Sequence, residues 1–289
     1  MKWLFLLLLP GLVQAQSTSL KEQIQHYLSG RKGTYAVAYK NLETGDHVYI
    51  NENDSFHAAS TMKTPVMLEV YRQAYKGKFS VLDSIVVKNE FKSIVDGSPY
   101  SLVATDDSEP KLYEKVGQKR TIYDLMYEMI IYSSNLATNI IIDLVDARNV
   151  TKTLCKMGAK HTQVLRGVED KKAFAQGLNN KVSAYDLALL FEKIAKGKAV
   201  SPEASQAMIS ILLDQKFNSV IPAKLPKSVK VAHKTGSIVS IMHDSGIVYL
   251  PDGRKYVLVL LSKNWQEPDR EAAVETMATV SEMIYQSIQ

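Results

Sequence analysis

Strand-like runs stand at both ends of this chain, and most of what lies between them reads as helix. That order constrains the fold more than any other feature. TYAVAYK (34–40) and DHVYIN (46–51) alternate and are rich in Tyr, Val and Ile, with a turn at Gly45 between them. Far downstream, KVAHKT (230–235), GIVYL (246–250) and YVLVLL (256–261) also read as strands, and Pro251-Asp252-Gly253 joins the last two. Strands this far apart bury their apolar faces by sharing a sheet. The expected fold is α/β of the α+β type: an antiparallel sheet of about five strands built from both chain ends, with flanking helices and an all-helical lobe inserted between. A cleft is expected where the lobes meet.

Helical periodicity supports this outline. A short helix is expected over 19–29, stopped by Gly30, and a closing helix over 269–287 with Ala273, Met277, Val280 and Ile284 on one face. Thr121 looks like the cap of a helix carrying Ile122, Leu125, Met126, Met129 and Ile130. Further helices are expected at 183–197 and 201–214. Two stretches resist the pattern: the polar segment 88–120, and the loop GVEDKKAFAQGLNNK after Arg166. Loops of that length are often functional. Tyr100 and Tyr113 in the first stretch are read as solvent-facing, with a place in the cleft wall as the alternative.

The first fifteen residues, MKWLFLLLLPGLVQA, read as a secretory signal peptide with Lys2 at its start and Val13-Gln14-Ala15 as its cleavage site. The apolar run is shorter than the roughly 20 residues a bilayer span needs. The expectation is export across the inner membrane to the periplasm. The residue immediately after the cleavage site is Gln16, not cysteine, so no lipid anchor is expected. Residues 16–289 then form a single domain, with an α/β lobe from 16–58 and 220–289 and a helical lobe from 59–219. The formal net charge is +5, and basic pairs such as Lys119-Arg120 and Lys171-Lys172 lack interleaved aromatics, which argues against nucleic acid as a partner. Cys155 is the only cysteine; it excludes an intrachain disulfide and is expected to be a buried, inert thiol. The histidines show no ligand spacing, so neither metal nor cofactor is expected, and nothing suggests more than a monomer.

Chemistry concentrates at three places. Ser-x-x-Lys occurs at Ser29/Lys32, Ser60/Lys63 and Ser108/Lys111, but only Ser60 opens an apolar helix. A lysine on a buried helix loses its solvation, which lowers its pKa and frees the amine to take a proton from Ser60. Free N–H groups at the helix start can face an oxyanion. Taken alone, Ser60 reads equally well as a plain N-cap. The second place, Ser133-Ser134-Asn135, is either a capped helix junction or a site where Ser133 passes a proton to a leaving nitrogen and Asn135 binds a carbonyl. The third, Lys234-Thr235-Gly236, is either an ordinary strand end or a carboxylate site, with Ser237 N–H available to an oxyanion hole.

Together and in this order, the three places resemble the serine β-lactamase and penicillin-binding-protein superfamily, whose signature is S-x-x-K, then S-D-N or S-x-N, then K-T-G. The likeness to class A β-lactamases covers nearly all of residues 16–289. It implies a secreted hydrolase that opens β-lactam rings through an acyl-enzyme on Ser60. Lys63 would be the proton acceptor and Ser133 the proton shuttle. Asn135, Lys234, Thr235 and Gly236 would bind substrate, with the amides of Ser60 and Ser237 as the oxyanion hole. Glu169 would be the base that activates the deacylating water.

The loop departs from the family pattern R-W-E-P-E-L-N. Glu169 stands one position later from the arginine, Ala173 replaces the asparagine, and Asn179 and Asn180 stand where an aspartate usually pairs with the arginine. Ser134 replaces the aspartate of S-D-N, and segment 88–120 lengthens the gap between the first two motifs. The alternatives are a D-alanyl-D-alanine peptidase or related amidase or esterase that takes a peptidoglycan-like substrate and releases β-lactams slowly, and a non-catalytic binding module on the same fold. A Ser60 adduct with a penicillin excludes the binding module.

Overall fold

In the computed structural model, which describes residues 18–289, the two ends of the chain meet in one five-stranded antiparallel sheet. The elements in chain order are α1 (Leu20–Ser29), β1 (Thr34–Asn41), β2 (His47–Ile50), α2 (Lys63–Tyr75), α3 (Ile122–Ile131), α4 (Asn135–Val145) and α5 (Ala147–Met157). They continue as α6 (Lys171–Ala175), α7 (Ala184–Ala195), α8 (Pro202–Leu213), β3 (Lys230–Ile238), β4 (Ile241–Tyr249), β5 (Lys255–Lys263) and α9 (Arg270–Ser287). Across the sheet the order is β2-β1-β5-β4-β3. The first long strand therefore pairs with the last, Val37 lying opposite Leu260. The expected signal peptide, 1–15, lies outside the described residues.

Strand alternation divides the core into two layers. Tyr35, Val37 and Tyr39 join Ile24 of α1 and Met277, Val280 and Ile284 of α9 on one face of the sheet. Ala36 and Ala38 turn the other way, into the larger core shared with α2, α3, α4 and α7. Local chemistry ends the elements where the sequence suggests. Ser19 and Glu22 form a reciprocal capping box at α1, and Thr121 accepts from the Asp124 amide at α3. Gly253, at φ +92°, makes the tight turn between β4 and β5 that a side chain would strain.

α2 is buried at every position from Lys63 to Tyr71. Its one carboxylate, Glu69, accepts from Arg72 Nε (2.7 Å), Gln73 Nε2 (2.8 Å) and Thr153 Oγ1 (2.6 Å), so its burial leaves no lone acceptor. Segment 88–120 is more ordered than its polarity suggests. Phe91–Lys92 pairs with Pro99–Tyr100, and Phe91, Leu102 and Leu112 enter the core.

One expectation fails outright: Cys155 is exposed, not buried. Val150, Thr153 and Leu154 form the buried face of α5, and one further residue turns Cys155 about 100° away from Leu154.

Candidate active site

Ser60 lies in a 3-10 turn, Ala59–Met62, that runs into α2. The residue that precedes that turn is Ala58, and Met62 precedes α2, so Ser60 caps neither element. Ala59 takes φ +44° and donates its amide to His57 Nδ1 at 3.1 Å. The turn presses against β3. A Cβ at Gly236 would stand 3.0 Å from both the Ser60 and the Thr61 nitrogen, tighter than most real Cβ contacts, so the turn would have to give by a few tenths of an ångström. Gly236 is thus favoured by the approach of the Ser60 turn, not only by a ligand.

Lys63, fully buried, reaches from the first turn of α2 to the α3–α4 junction. Its Nζ donates to Ser133 O (2.7 Å), Ser133 Oγ (3.1 Å) and Asn135 Oδ1 (3.0 Å). Burial lowers its pKa to about 7 against the opposing charges of Asp107 and Glu169. Lys234 on β3 is fully buried as well, and its Nζ donates to Ser133 Oγ at 3.1 Å and Thr235 O at 2.8 Å. Burial holds its pKa well below the usual lysine range, Lys63 adds to that, and Asp244 opposes it. Two amines thus converge on one hydroxyl, and Ser133 meets them in a left-handed backbone at φ +59°. Ser134 is fully buried and caps α4 by accepting from the Ala137 amide.

A residue that sequence reasoning passed over holds this junction. Asp107, buried in segment 88–120, accepts from the Asn135 amide (2.9 Å), the Leu136 amide (2.8 Å) and Tyr113 Oη (3.0 Å). Its charge faces the N-terminus of α4, where the helix dipole favours an anion. Tyr113 therefore supports the site from the polar segment instead of facing solvent. Tyr100 is also half-buried, and its hydroxyl donates to Val168 O at 3.2 Å. Arg270 was likewise not legible beforehand; its Nη2 donates to Ser237 Oγ at 2.8 Å.

These groups open on a cleft of about 760 Å³ whose lining includes Ser60, Ser133, Asn135, Glu169, Thr235 and Ser237. Asp106 and Ser108 line it too, so segment 88–120 does reach the cleft. Glu169 is exposed to the cleft, takes φ +60°, and its carboxylate makes no hydrogen bond among the described residues. Asn139, on α4, grips the preceding residue: its Oδ1 accepts from the Val168 amide (2.7 Å) and its Nδ2 donates to Val168 O (3.0 Å).

Arg166, at the start of the loop, is buried and bonded only to neutral acceptors: Leu178 O (2.8 Å), Gly167 O (2.9 Å) and Asn179 Oδ1 (3.0 Å). Burial pulls its pKa below the usual arginine range, with Asp170 opposing. Asn179→Asp turns a hydrogen bond from the guanidinium to a neutral amide oxygen into an ion pair. We expect it to stabilise the fold by about 1–2 kcal/mol at neutral pH. Urea unfolding tests this; an unchanged or lower midpoint would contradict it.

Comparison with known proteins adds to this geometry. The family described as the beta-lactamase enzyme family matches residues 19–288. The extended-spectrum beta-lactamase PER-1 of Pseudomonas aeruginosa is 27% identical over 94% of this chain and 88% of its own length. A beta-lactamase of Bacteroides uniformis is 25% identical over 96% of this chain and 94% of its own. Among solved structures, PBP-A superposes with a TM-score of 0.79 at 27% identity, covering 93% of this chain and 95% of that one.

Proposed function

This chain belongs to the beta-lactamase enzyme family, and from that premise we propose that it is a serine hydrolase that opens β-lactam rings through a Ser60 acyl-enzyme. The observation that carries the reading is Lys63: a fully buried amine at pKa about 7, three residues beyond Ser60 and bonded to Ser133 and Asn135. An amine of that pKa is partly neutral near pH 7 and can accept a proton.

In the first half-reaction, neutral Lys63 takes the Ser60 proton as Oγ attacks the lactam carbonyl. The developing oxyanion sits between the Ser60 and Ser237 amides. Collapse breaks the C–N bond, and Ser133 donates its proton to the leaving nitrogen. The Lys63 ammonium, 3.1 Å from Ser133 Oγ, restores that proton. The substrate carboxylate lies against Lys234 and Thr235, with Arg270 adding positive charge beside Ser237. Asn135 binds the amide carbonyl of the acyl side chain.

In the second half-reaction, Glu169 takes a proton from water, hydroxide attacks the ester carbonyl, the C–O bond to Ser60 breaks, and the proton held by Glu169 returns to Ser60 Oγ. The free carboxylate of Glu169 in the cleft supports this role. Glu169→Gln is expected to lengthen the life of the Ser60 adduct by at least about a hundredfold while acylation continues. Intact-protein mass spectrometry after mixing with a penicillin reads it; an unchanged adduct lifetime removes Glu169 as the base.

The displaced Glu169 and the missing arginine–aspartate pair favour one second reading, slow release of β-lactams by a cell-wall peptidase or related amidase. A persistent adduct on the unaltered chain would support it. The site of action is the periplasm, on the evidence of the apolar leader at 1–15. Among the described residues no helix is long and apolar enough to cross a membrane.

A further inference from the structure

Asp170, the residue after Glu169, is buried to 2% exposure. Its carboxylate accepts from Ser93 Oγ (2.9 Å), the Ile94 amide (2.9 Å) and the Ala173 amide (3.1 Å). Two of these donors belong to the turn of the Phe91–Tyr100 hairpin, far away in sequence. On the other side of Glu169, Val168 is held by Asn139 through both its amide and its carbonyl, and by Tyr100 Oη at 3.2 Å. Gly167 packs so tightly on Asn139 that a Cβ there would stand 2.4 Å from Oδ1. Glu169 is therefore suspended between two anchored neighbours. It takes a left-handed backbone, φ +60°, that a non-glycine residue keeps only when its surroundings over-determine it.

The loop lacks an internal ion pair at Arg166, whose side-chain bonds go to neutral oxygens. The hairpin ties the loop from outside through hydrogen bonds to the Asp170 carboxylate. Lys172 adds an outer tie to Asp96 at 2.8 Å and Ser98 Oγ at 2.7 Å, but it is exposed, and such pairs contribute little. Asp170 is the buried and hence the stronger link.

We infer that Asp170 is a positioning residue for deacylation: by docking on Ser93 and Ile94 it makes the 91–100 hairpin a clamp that holds the Glu169 carboxylate at the cleft. This rests on Glu169 being the deacylation base. The catalytic step is that of Glu169; the hairpin governs where that carboxylate stands. The 91–100 hairpin of the long irregular segment thereby acts in the second half-reaction, while Asp107 of the same segment supports the Ser133–Asn135 junction.

The test measures acylation and deacylation separately, on the full chain with a penicillin, for Asp170→Asn, Ser93→Ala and Glu169→Gln. Ser93→Ala removes one donor to the clamp and guards against failure of Asp170→Asn to fold. The clamp variants are expected to lengthen the Ser60 adduct lifetime by about tenfold or more, with acylation within about twofold of the parent. Ser93→Ala added to Glu169→Gln is expected to change the lifetime no further, because the clamp acts through Glu169. A longer lifetime in Glu169→Gln with parental lifetimes in both clamp variants overturns the positioning role and leaves the base in place. Equal slowing of both half-reactions with a lowered unfolding midpoint assigns Asp170 to the scaffold alone and also overturns it. An unchanged lifetime in Glu169→Gln overturns the base, and the positioning role falls with it.

Discussion

Ser60→Ala is expected to lower penicillin hydrolysis by about four orders of magnitude or more and to abolish the covalent adduct. The prediction is this large because the hydroxyls of Ser133, Ser134 and Ser237 are each committed elsewhere. Ser133 Oγ is already engaged by two amines, Lys63 and Lys234, each at 3.1 Å. Ser134 is fully buried as the cap of α4. Ser237 Oγ accepts from Arg270 at the far side of the turn. The substitution removes one oxygen from a half-buried position in a 3-10 turn, so folding should survive it. Circular dichroism and the unfolding midpoint provide the control. An adduct of undiminished yield on Ser60→Ala would place the nucleophile elsewhere.

Lys63→Met should slow acylation by about a thousandfold, the usual contribution of a positioned base. In the parent, the acylation rate should rise with pH through about 7, because burial sets the Lys63 pKa there and only the neutral amine accepts the serine proton. The pH dependence of stability has a definite sign. The folded pKa, about 7, lies below the unfolded value of 10.5, so between them the unfolded chain binds a proton that the folded chain does not. Stability from this site therefore increases as pH rises from about 7 toward the unfolded value, and below that window the folded protein carries the full cost of a buried ammonium. Lys63→Met removes that cost, so it should lose activity and yet unfold at a higher temperature at about pH 6. Methionine is similar in length and keeps the packing against α4. An acylation rate that does not vary with pH, together with a fall in unfolding temperature, would contradict the assignment.

The fold was legible because its signals are local. Alternation in TYAVAYK and the apolar run YVLVLL mark strands, and the two meet as β1 and β5 at the register Tyr39 to Leu258. Helix ends were legible for the same reason: Thr121 and Gly30 act on neighbours a few residues away. The three motifs were legible as residues but ambiguous as chemistry. The structure removes one ambiguity by placing Ser60 beyond any capping position, and it brings Lys63, Ser133, Asn135 and Lys234 into one hydrogen-bonded group.

The supports of the site were not legible, because each is a contact between segments far apart in sequence. Asp107 stands in a run that reads as a solvated loop, DDSEPK, yet it binds the first amides of α4. Asp170 looks like a surface charge beside Glu169, yet it is buried against Ser93. Asn139 lies within an apolar helix and grips Val168. Polarity predicts exposure only when no distant partner arrives, and here one partner of each pair lies in a segment that shows no periodicity of its own. Cys155 failed in the opposite sense: an apolar character set an expectation that the orientation of α5 overrode.

In the proposed mechanism Ser60 both takes and releases the acyl group. Intact-protein mass spectrometry over time, after mixing the unaltered chain with a penicillin, tests it most directly. The predicted result is an adduct on Ser60 that appears and then disappears while hydrolysed penicillin accumulates beyond one equivalent. An adduct that persists for hours with no further product would contradict the claim and point to a cell-wall peptide or another acyl compound as the substrate.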